Sequence, residues 1–594
     1  MLHSFHIPVL GLAFSIDSPL KVAKYGISSV ISIVDDELIE RIRIYYSQRH
    51  QLDCKPITKK EYDFRAMRIT SYLNLVKVLV QEQIEHIRQQ VLETSQESTR
   101  YFNLLPEGTP IKMDYNEFIT EVDPQKRSQL AVQISKHIQA GDIDVNIMSK
   151  VDKMNVAAIG HPMDEKLSDA LAALRGFANS ELQSSVVLSA GMNPRLYTYI
   201  SELEQFWPEE GGTFNKKVTL KVSDYRSASI QAKFLAKKGV WVSEFRIESG
   251  LNCGGHAFAT DGFLLGPILE EFKNKKKELQ AELFHLYQQY WSLKSKDLQH
   301  SPPIKYTVQG GVGTADEHRF LLEHYDFDAV GWGSPFLLVP EATTVDDQTL
   351  TALSIASADD FYISDSSPLG VPFNNFRLSS AEKQRIQRIQ SGRPGSPCKK
   401  KYLISNTEYT EQPICTASRE YQHLKIKELQ EKQLHRVEYE KEYENITVKT
   451  CLCDGLAAPA YIKYGILKPR ESDSVSICPG PNTSWFKGIF SLDQMVNHIY
   501  GRDNLLKDQS RPFFLISELK LYVTHIQKYV EINMSTVDDK KIRYLDKFKR
   551  QLQEGISYYK ELKETLNNFP AHIIQAIPNE LQQIELQLEK IKFS

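Results

Sequence analysis

Two glycine-rich turns, Gln309-Gly310-Gly311-Val312-Gly313-Thr314 and Val330-Gly331-Trp332-Gly333-Ser334, each follow a short apolar run of strand length. Glycine lets a backbone come close to a phosphate, and N–H groups at the start of the next helix can then hold it. Two such turns closing a series of strand–helix units are what a (β/α)8 barrel places after its seventh and eighth strands to bind a phosphorylated ligand. Either turn alone reads equally well as an ordinary strand-to-helix link. The pair, in this order, favours a phosphate-bearing cofactor or substrate.

Apolar runs of strand length stand at Ile7 to Ala13, Ser28 to Val34, Ile143 to Ser149, Ser185 to Ala190, Val218 to Val222, Val240 to Ile247, Ile304 to Gln309 and Phe327 to Gly331. Most are followed by a helical pattern, the alternation a parallel barrel requires. The expected fold is α/β, a (β/α)8 TIM barrel over residues 1–340. A long charged segment at 35–140, after the second strand, has helical periodicity in Ile69 to Val91 and is expected as an insertion. It reads as a cap over or beside the barrel mouth, or equally as a solvated helical appendage. Residues 341–594 form a largely helical, cysteine-containing C-terminal extension. Within it, Arg419 to Glu444, Tyr544 to Leu566 and Pro578 to Ile591 are helical and charged, and are expected to pack on the barrel or to join a second copy as a homo-oligomer.

At 594 residues the chain exceeds one simple hydrophobic core. Its 72 Lys+Arg against 75 Asp+Glu give no electrostatic argument for nucleic acid or an anionic membrane. The expected partner is a small-molecule substrate. No stretch approaches the roughly 20 apolar residues of a membrane span. Met1 to Ile16 lacks a basic start and a small-residue cleavage site and reads as a buried first strand. Seven cysteines suit reduced thiols or metal ligands better than a disulfide framework, so the expected compartment is the cytoplasm.

After the sixth strand stands Glu248-Ser249-Gly250-Leu251-Asn252-Cys253-Gly254-Gly255-His256-Ala257. Paired glycines let the backbone pass close to a flat ligand, and an imidazole at the carboxyl end of a barrel is suited to removing a proton from a carbon acid. A lone histidine is more often structural; Gly254-Gly255 and the downstream turns favour a site residue. Lys221, near the end of the fifth strand, is either a solvated rim lysine or a donor to a ligand at the mouth.

Gly254-Gly255-His256, then Gln309 to Thr314, then Gly331-Trp332-Gly333-Ser334-Pro335-Phe336-Leu337, resembles the nitronate monooxygenase (2-nitropropane dioxygenase-like) family of FMN-dependent (β/α)8 barrels. The opening Ile7-Pro8-Val9-Leu10-Gly11-Leu12-Ala13-Phe14, with Ser18 to Ala23 and Gly26, is similar to that family's first strand and helix. The resemblance covers residues 7–339. It implies an FMN-dependent oxidoreductase, monooxygenase-like, with the flavin across the barrel mouth. Gly310, Gly311, Gly313, Thr314, Gly331, Gly333 and Ser334 would hold its phosphate. Gly254 and Gly255 would border the ring, Lys221 would face its pyrimidine end, and His256 would be the base that deprotonates a small carbon acid. A lyase or isomerase using the same turns without flavin, and a non-catalytic barrel scaffold, remain as alternatives.

Cys398, Cys415, Cys451, Cys453 and Cys478 gather five of the seven cysteines in the extension. Thiolates in such numbers can hold an iron–sulfur cluster or zinc. Only Cys451 and Cys453 are close in sequence, and buried apolar thiols are the competing reading.

Overall fold

The structure is a computed structural model that describes residues 2–149, 152–155, 164–189, 191–507, 509–533, 539–566 and 569–592. Eight strands close into a parallel barrel: β1 (Phe5–Ile7), β2 (Ser28–Ser32), β3 (Ile143–Ile147), β4 (Ser184–Leu188), β5 (Lys216–Val222), β6 (Val242–Glu248), β7 (Lys305–Gln309) and β8 (Ala329–Gly331). Each pairs with the next, and β8 returns to β1 through Phe5 opposite Val330 and His6 opposite Gly331. This is the expected (β/α)8 barrel, with every one of the eight apolar runs supplying its strand.

The first run is the one that shifts. Ile7 to Ala13 contributes only its leading edge, because Pro8 has no N–H for a ladder and Gly11 turns at φ +60°. Of the fourth run, Ala190 lies outside the described residues.

Residues 35–140 do form helices, at Asp36–Arg49, Phe64–Gln89, Gln96–Leu104, Pro110–Thr120 and Pro124–His137. They occupy the outer helical layer between β2 and β3 and the amino-terminal end of the barrel. Helix Phe64–Gln89 lies along helix Asp169–Ala178, and Arg65 and Arg68 clamp Asp36 at 2.6 and 2.8 Å. Lower down, Glu97 pairs with Lys24 at 3.0 Å, just ahead of β2.

The extension packs at the carboxyl ends of the strands, where Tyr402 also meets Asp35 and Asp36 at the start of the insertion. Its hairpin, β9 (Phe361–Ser364) with β10 (Phe373–Phe376), bridges to His256. Leu456 accepts a hydrogen bond from Ala13 N–H at 3.1 Å. Cys478 C=O accepts from Gly255 N–H at 3.0 Å, and Gly480 N–H donates to Ser334 Oγ at 2.7 Å. One continuous core cluster runs from Phe5 through the insertion to Ile591, so barrel, insertion and terminal helices share their buried surface.

Candidate active site at the barrel mouth

Strand register fixes which side chains face the barrel axis. Since successive residues point to opposite faces, the pairings His6 with Gly331, Thr219 with Glu244, Lys221 with Arg246, and Glu248 with Gln309 put these residues on one face. The result is a polar barrel interior, where branched apolar side chains usually fill the layers. In its deeper layer Arg246 Nε donates to Glu244 at 2.8 Å and its Nη2 reaches Asp144 on β3, across the barrel, at 3.0 Å. Thr307 Oγ1 donates to Glu244 at 2.6 Å. Burial opposes ionisation of Glu244, but Arg246 outweighs it and holds that carboxyl below the usual range; at Asp144 burial prevails and the carboxyl is pushed up. Burial and then the neighbouring Arg246 hold His6 neutral, with its pKa lowered to about 3.

Above this layer, at the carboxyl ends of β5, β6 and β7, Lys221 Nζ pairs with Glu248 at 3.2 Å and Gln309 Nε2 donates to the same carboxylate at 2.9 Å. The Lys221 and Glu248 side chains remain 16% and 17% exposed. Gln309 Oε1 and His6 Nε2 are buried with no hydrogen-bond partner. Both converge on Gly331, where an added Cβ would lie 3.1 Å from each. The mouth therefore gathers a lysine, a carboxylate and, packed beneath them against Gly331, two polar atoms with no hydrogen-bond partner. Lys221 stands in this set, paired with Glu248 and not solvated at the rim. The side chains of Glu248, Gln309 and His6 were not singled out by the sequence.

The two glycine turns lie side by side, as the β7–β8 pairing dictates. Their surroundings divide them. Gly313 N–H donates to Glu317 Oε2 at 2.8 Å, and Thr314 accepts from Glu317 N–H as the N-cap of helix Ala315–Glu323. Arg511 crosses the turn, pairing with Glu317 at 2.6 Å and donating to Gly311 C=O. Asn252 backs Gly311, and Ser249 and Cys253 back Gly310. A Cβ added at Gly331 would point into the barrel interior, toward Gln309 and His6. At Gly333 an added Cβ would meet only Pro8 at 3.4 Å and Leu10 at 3.6 Å, so that side has room.

Gly254 and Gly255 are held by the strap Cys478-Pro479-Gly480, which passes between them and Ser334. His256 is anchored to the extension: its Nε2 shares a 2.7 Å hydrogen bond with Ser367 Oγ, and its ring meets Phe373 edge-on. Burial, then Glu248, pushes the Cys253 thiol well up, so it is no nucleophile at neutral pH.

The extension's thiols are partly brought together: buried Cys453 packs with Cys451 and Cys478 in a small apolar cluster beside Leu452 and Phe373, and Cys415 is buried as well. Cys478 serves the strap. Among the described residues no three His, Cys, Asp or Glu side chains close to single-ion distance, and no helix is long and apolar enough to cross a membrane.

No protein-family model and no curated protein matches the chain. Among solved structures it is similar to FabK from Thermotoga maritima, at 14% identity over 66% of this chain and 83% of that one, with a TM-score of 0.30. It is also similar to the enoyl reductase domain of MlnA from the macrolactin biosynthesis cluster of Bacillus amyloliquefaciens, at 13% identity over 74% of this chain and 90% of that one, with a TM-score of 0.32. Likenesses this faint carry no argument about ligand or reaction. The barrel rests on its own strand pairing.

Proposed function

We propose that the chain is an FMN-dependent oxidoreductase acting on a small carbon-acid substrate at the barrel mouth. The observation that carries this reading is the set Lys221, Glu248, Gln309 and His6 around Gly331. A flavin's pyrimidine edge alternates hydrogen-bond acceptors with a donor, and this set offers an ammonium donor beside the unsatisfied Gln309 Oε1. Leaving such an atom unpaired costs about 1–3 kcal/mol, so a ligand that satisfies it is favoured by that margin. The residues at the ring end fit the group.

At the other end we assign the phosphate to Gly333, which has room beside it, and to Ser334, whose hydroxyl accepts from Gly480 N–H but keeps its own proton to donate; Gly311 and Gly313 already pack on Asn252 and Arg511. Bound there, FMN would supply the redox chemistry, while the protein supplies position and electrostatics. Lys221 would stabilise negative charge on the pyrimidine end. Glu248 orients Lys221, and Ser367 orients His256, to which we assign the proton-transfer role.

Flavin released from purified protein by denaturation and identified by mass tests the reading. Lys221→Ala is expected to retain FMN about tenfold more weakly, in line with loss of one charge-assisted hydrogen bond. His256→Ala is expected to retain FMN fully while its reduction by a carbon acid slows. Protein that binds no FMN even when the cofactor is supplied in excess would sink the proposal. One observation favours a second reading, a barrel serving as scaffold: the Cys478–Gly480 strap lies between Gly254 and Ser334, where the resemblance puts the flavin. That reading expects no flavin and no change in stability when FMN is added.

A further inference from the structure

A cavity of about 330 Å³ opens between the insertion, which brings Glu37 and Lys59 to its wall, and the extension, which supplies the rest. Some of its charges are already balanced. Arg385 forks onto Glu382, and Lys400 pairs with buried Asp35. Two of the lining carboxylates are taken in turn, since Arg41, stacked on Tyr461, joins Glu37 to Glu471. What remains is unequal. Lys59, Arg388, Lys399, Lys449 and Arg470 line the same space with no ion-pair partner among the described residues, against Asp454 and Asp473. Lys399 and Lys449 donate to the main-chain carbonyls of Arg470 and Asp365, at 2.8 and 2.6 Å, which bring no counter-charge.

Arg388 is the most exacting of these groups. It is half-buried, and its guanidinium has no hydrogen bond among the described residues. Burial and then the nearby Arg419 oppose its charge, and Arg419 Nε is itself buried with no partner. A guanidinium cannot give up its proton in a protein, so the cost of holding two of them together persists until an anion arrives. The walls that carry these cations are fixed beforehand. Ala381 N–H donates to Val475 C=O at 3.1 Å, and Val475 N–H to Ser380 Oγ at 2.8 Å, which ties the helix of Arg388 to the segment behind Ser474. Fully buried Gln422 donates to Lys449 C=O at 3.2 Å.

We propose that this cavity binds a small phosphorylated molecule, with Arg388 as the main contact to its phosphoryl group and Lys449, Lys399 and Arg470 supplying the surrounding field. A cleft lined by an excess of one sign focuses its potential on the space inside and concentrates the opposite charge there. A guanidinium fork matches two oxygens of a phosphoryl group, and a third oxygen stays free for an ammonium arriving from another stretch of chain. A carboxylate offers only two oxygens in one plane. The volume lies at the lower end of the roughly 300–1,000 Å³ of small-ligand pockets, which suits a metabolite. None of the lining residues belongs to the barrel mouth, so this site stands apart from the phosphate position assigned to Gly333 and Ser334.

Titration calorimetry of the full-length protein with sodium pyrophosphate at low ionic strength tests the site. Saturable binding is expected, and Arg388→Gln should weaken it at least about tenfold, as loss of one charge-assisted hydrogen bond implies. Without ligand this variant should melt no lower than the parent, because it removes a like charge beside Arg419 and breaks no bond. Lys449→Gln should also weaken binding, whereas Ser334→Ala at the barrel mouth should leave it unchanged. Absence of saturable binding, undiminished affinity in both Arg388→Gln and Lys449→Gln, or an equal loss in Ser334→Ala would each overturn the site. Citrate binding as tightly as pyrophosphate would overturn its assignment to a phosphoryl group.

Discussion

Arg246→Ala is expected to destabilise the fold by about 3–5 kcal/mol, a large part of the 5–15 kcal/mol by which a domain is usually stable. Arg246 is 3% exposed and ties Glu244 on its own strand to Asp144 across the barrel axis. Removing the guanidinium leaves two carboxyls, 7% and 9% exposed, facing one another with no counter-charge. It also empties part of a closed barrel, where water has few ways in. The loss should therefore exceed that of any surface ion pair in the molecule, which is worth about 0–1 kcal/mol. The check is the urea midpoint of the variant beside that of Arg246→Met/Glu244→Gln/Asp144→Asn. The triple variant should recover most of the loss, because a neutral interior no longer needs the guanidinium. A single variant within about 1 kcal/mol of the parent would show that the network carries no such burden.

The same network explains what the sequence disclosed and what it withheld. The eight strands were legible because each is a short apolar run between turn signals, and the barrel follows from their alternation with helices. The polar interior was legible in principle. Val218-Thr219-Leu220-Lys221-Val222 and Glu244-Phe245-Arg246-Ile247-Glu248 alternate strictly, whereas strands buried on both faces usually read as continuous apolar runs. Reading those segments for hydrophobicity alone hid Glu248, and reading Gln309 as the start of a glycine motif hid its side chain. Lys221 emerged because its position near a strand end invited a chemical question.

What no local pattern could supply was the path of the extension. The strap around Gly480 reaches Ser334 and Gly254 from 146 and more residues away, and Arg511 reaches Glu317 from 194. Glycine spacing at 310–313 says that a backbone is approached closely. It does not say whether a phosphate or another part of the same chain makes the approach. For Gly311 and Gly313 the approach is made by Asn252 and Arg511. The insertion at 35–140 illustrates the same limit: its helices were visible in the periodicity, but their place beside the barrel depends on Asp36 meeting Arg65 and Arg68, partners 29 and 32 residues apart.

Glu518→Gln is expected to make the protein more stable above neutral pH by roughly 3 kcal/mol and to leave it unchanged in acid. Glu518, on helix Phe514–Asn533, is 1% exposed; it accepts hydrogen bonds from Ser249 Oγ and from Leu265 N–H, the latter at 2.8 Å. Burial raises its pKa from 4.5 to about 7, and these two hydrogen bonds only partly offset the effect. Tyr522, Tyr559 and Cys253 surround it, and all keep their protons at neutral pH, so no cation among them relieves the carboxylate. The fold thus keeps a proton that the unfolded chain has already released between pH 4.5 and about 7. A group whose folded pKa is raised contributes its stability fully below the unfolded value and loses it as pH rises through the folded one. Glutamine reproduces the neutral form, since its amide donates to Ser249 Oγ while its carbonyl accepts from Leu265 N–H. The difference in melting temperature between parent and variant should therefore be near zero at about pH 4 and grow in the variant's favour up to about pH 8. Buried histidines such as His6 titrate in both proteins and cancel in that difference. A difference that stays constant across the range would mean that Glu518 binds and releases its proton alike in the folded and unfolded chain, and that the Ser249 loop beneath it is not held by a neutral carboxyl.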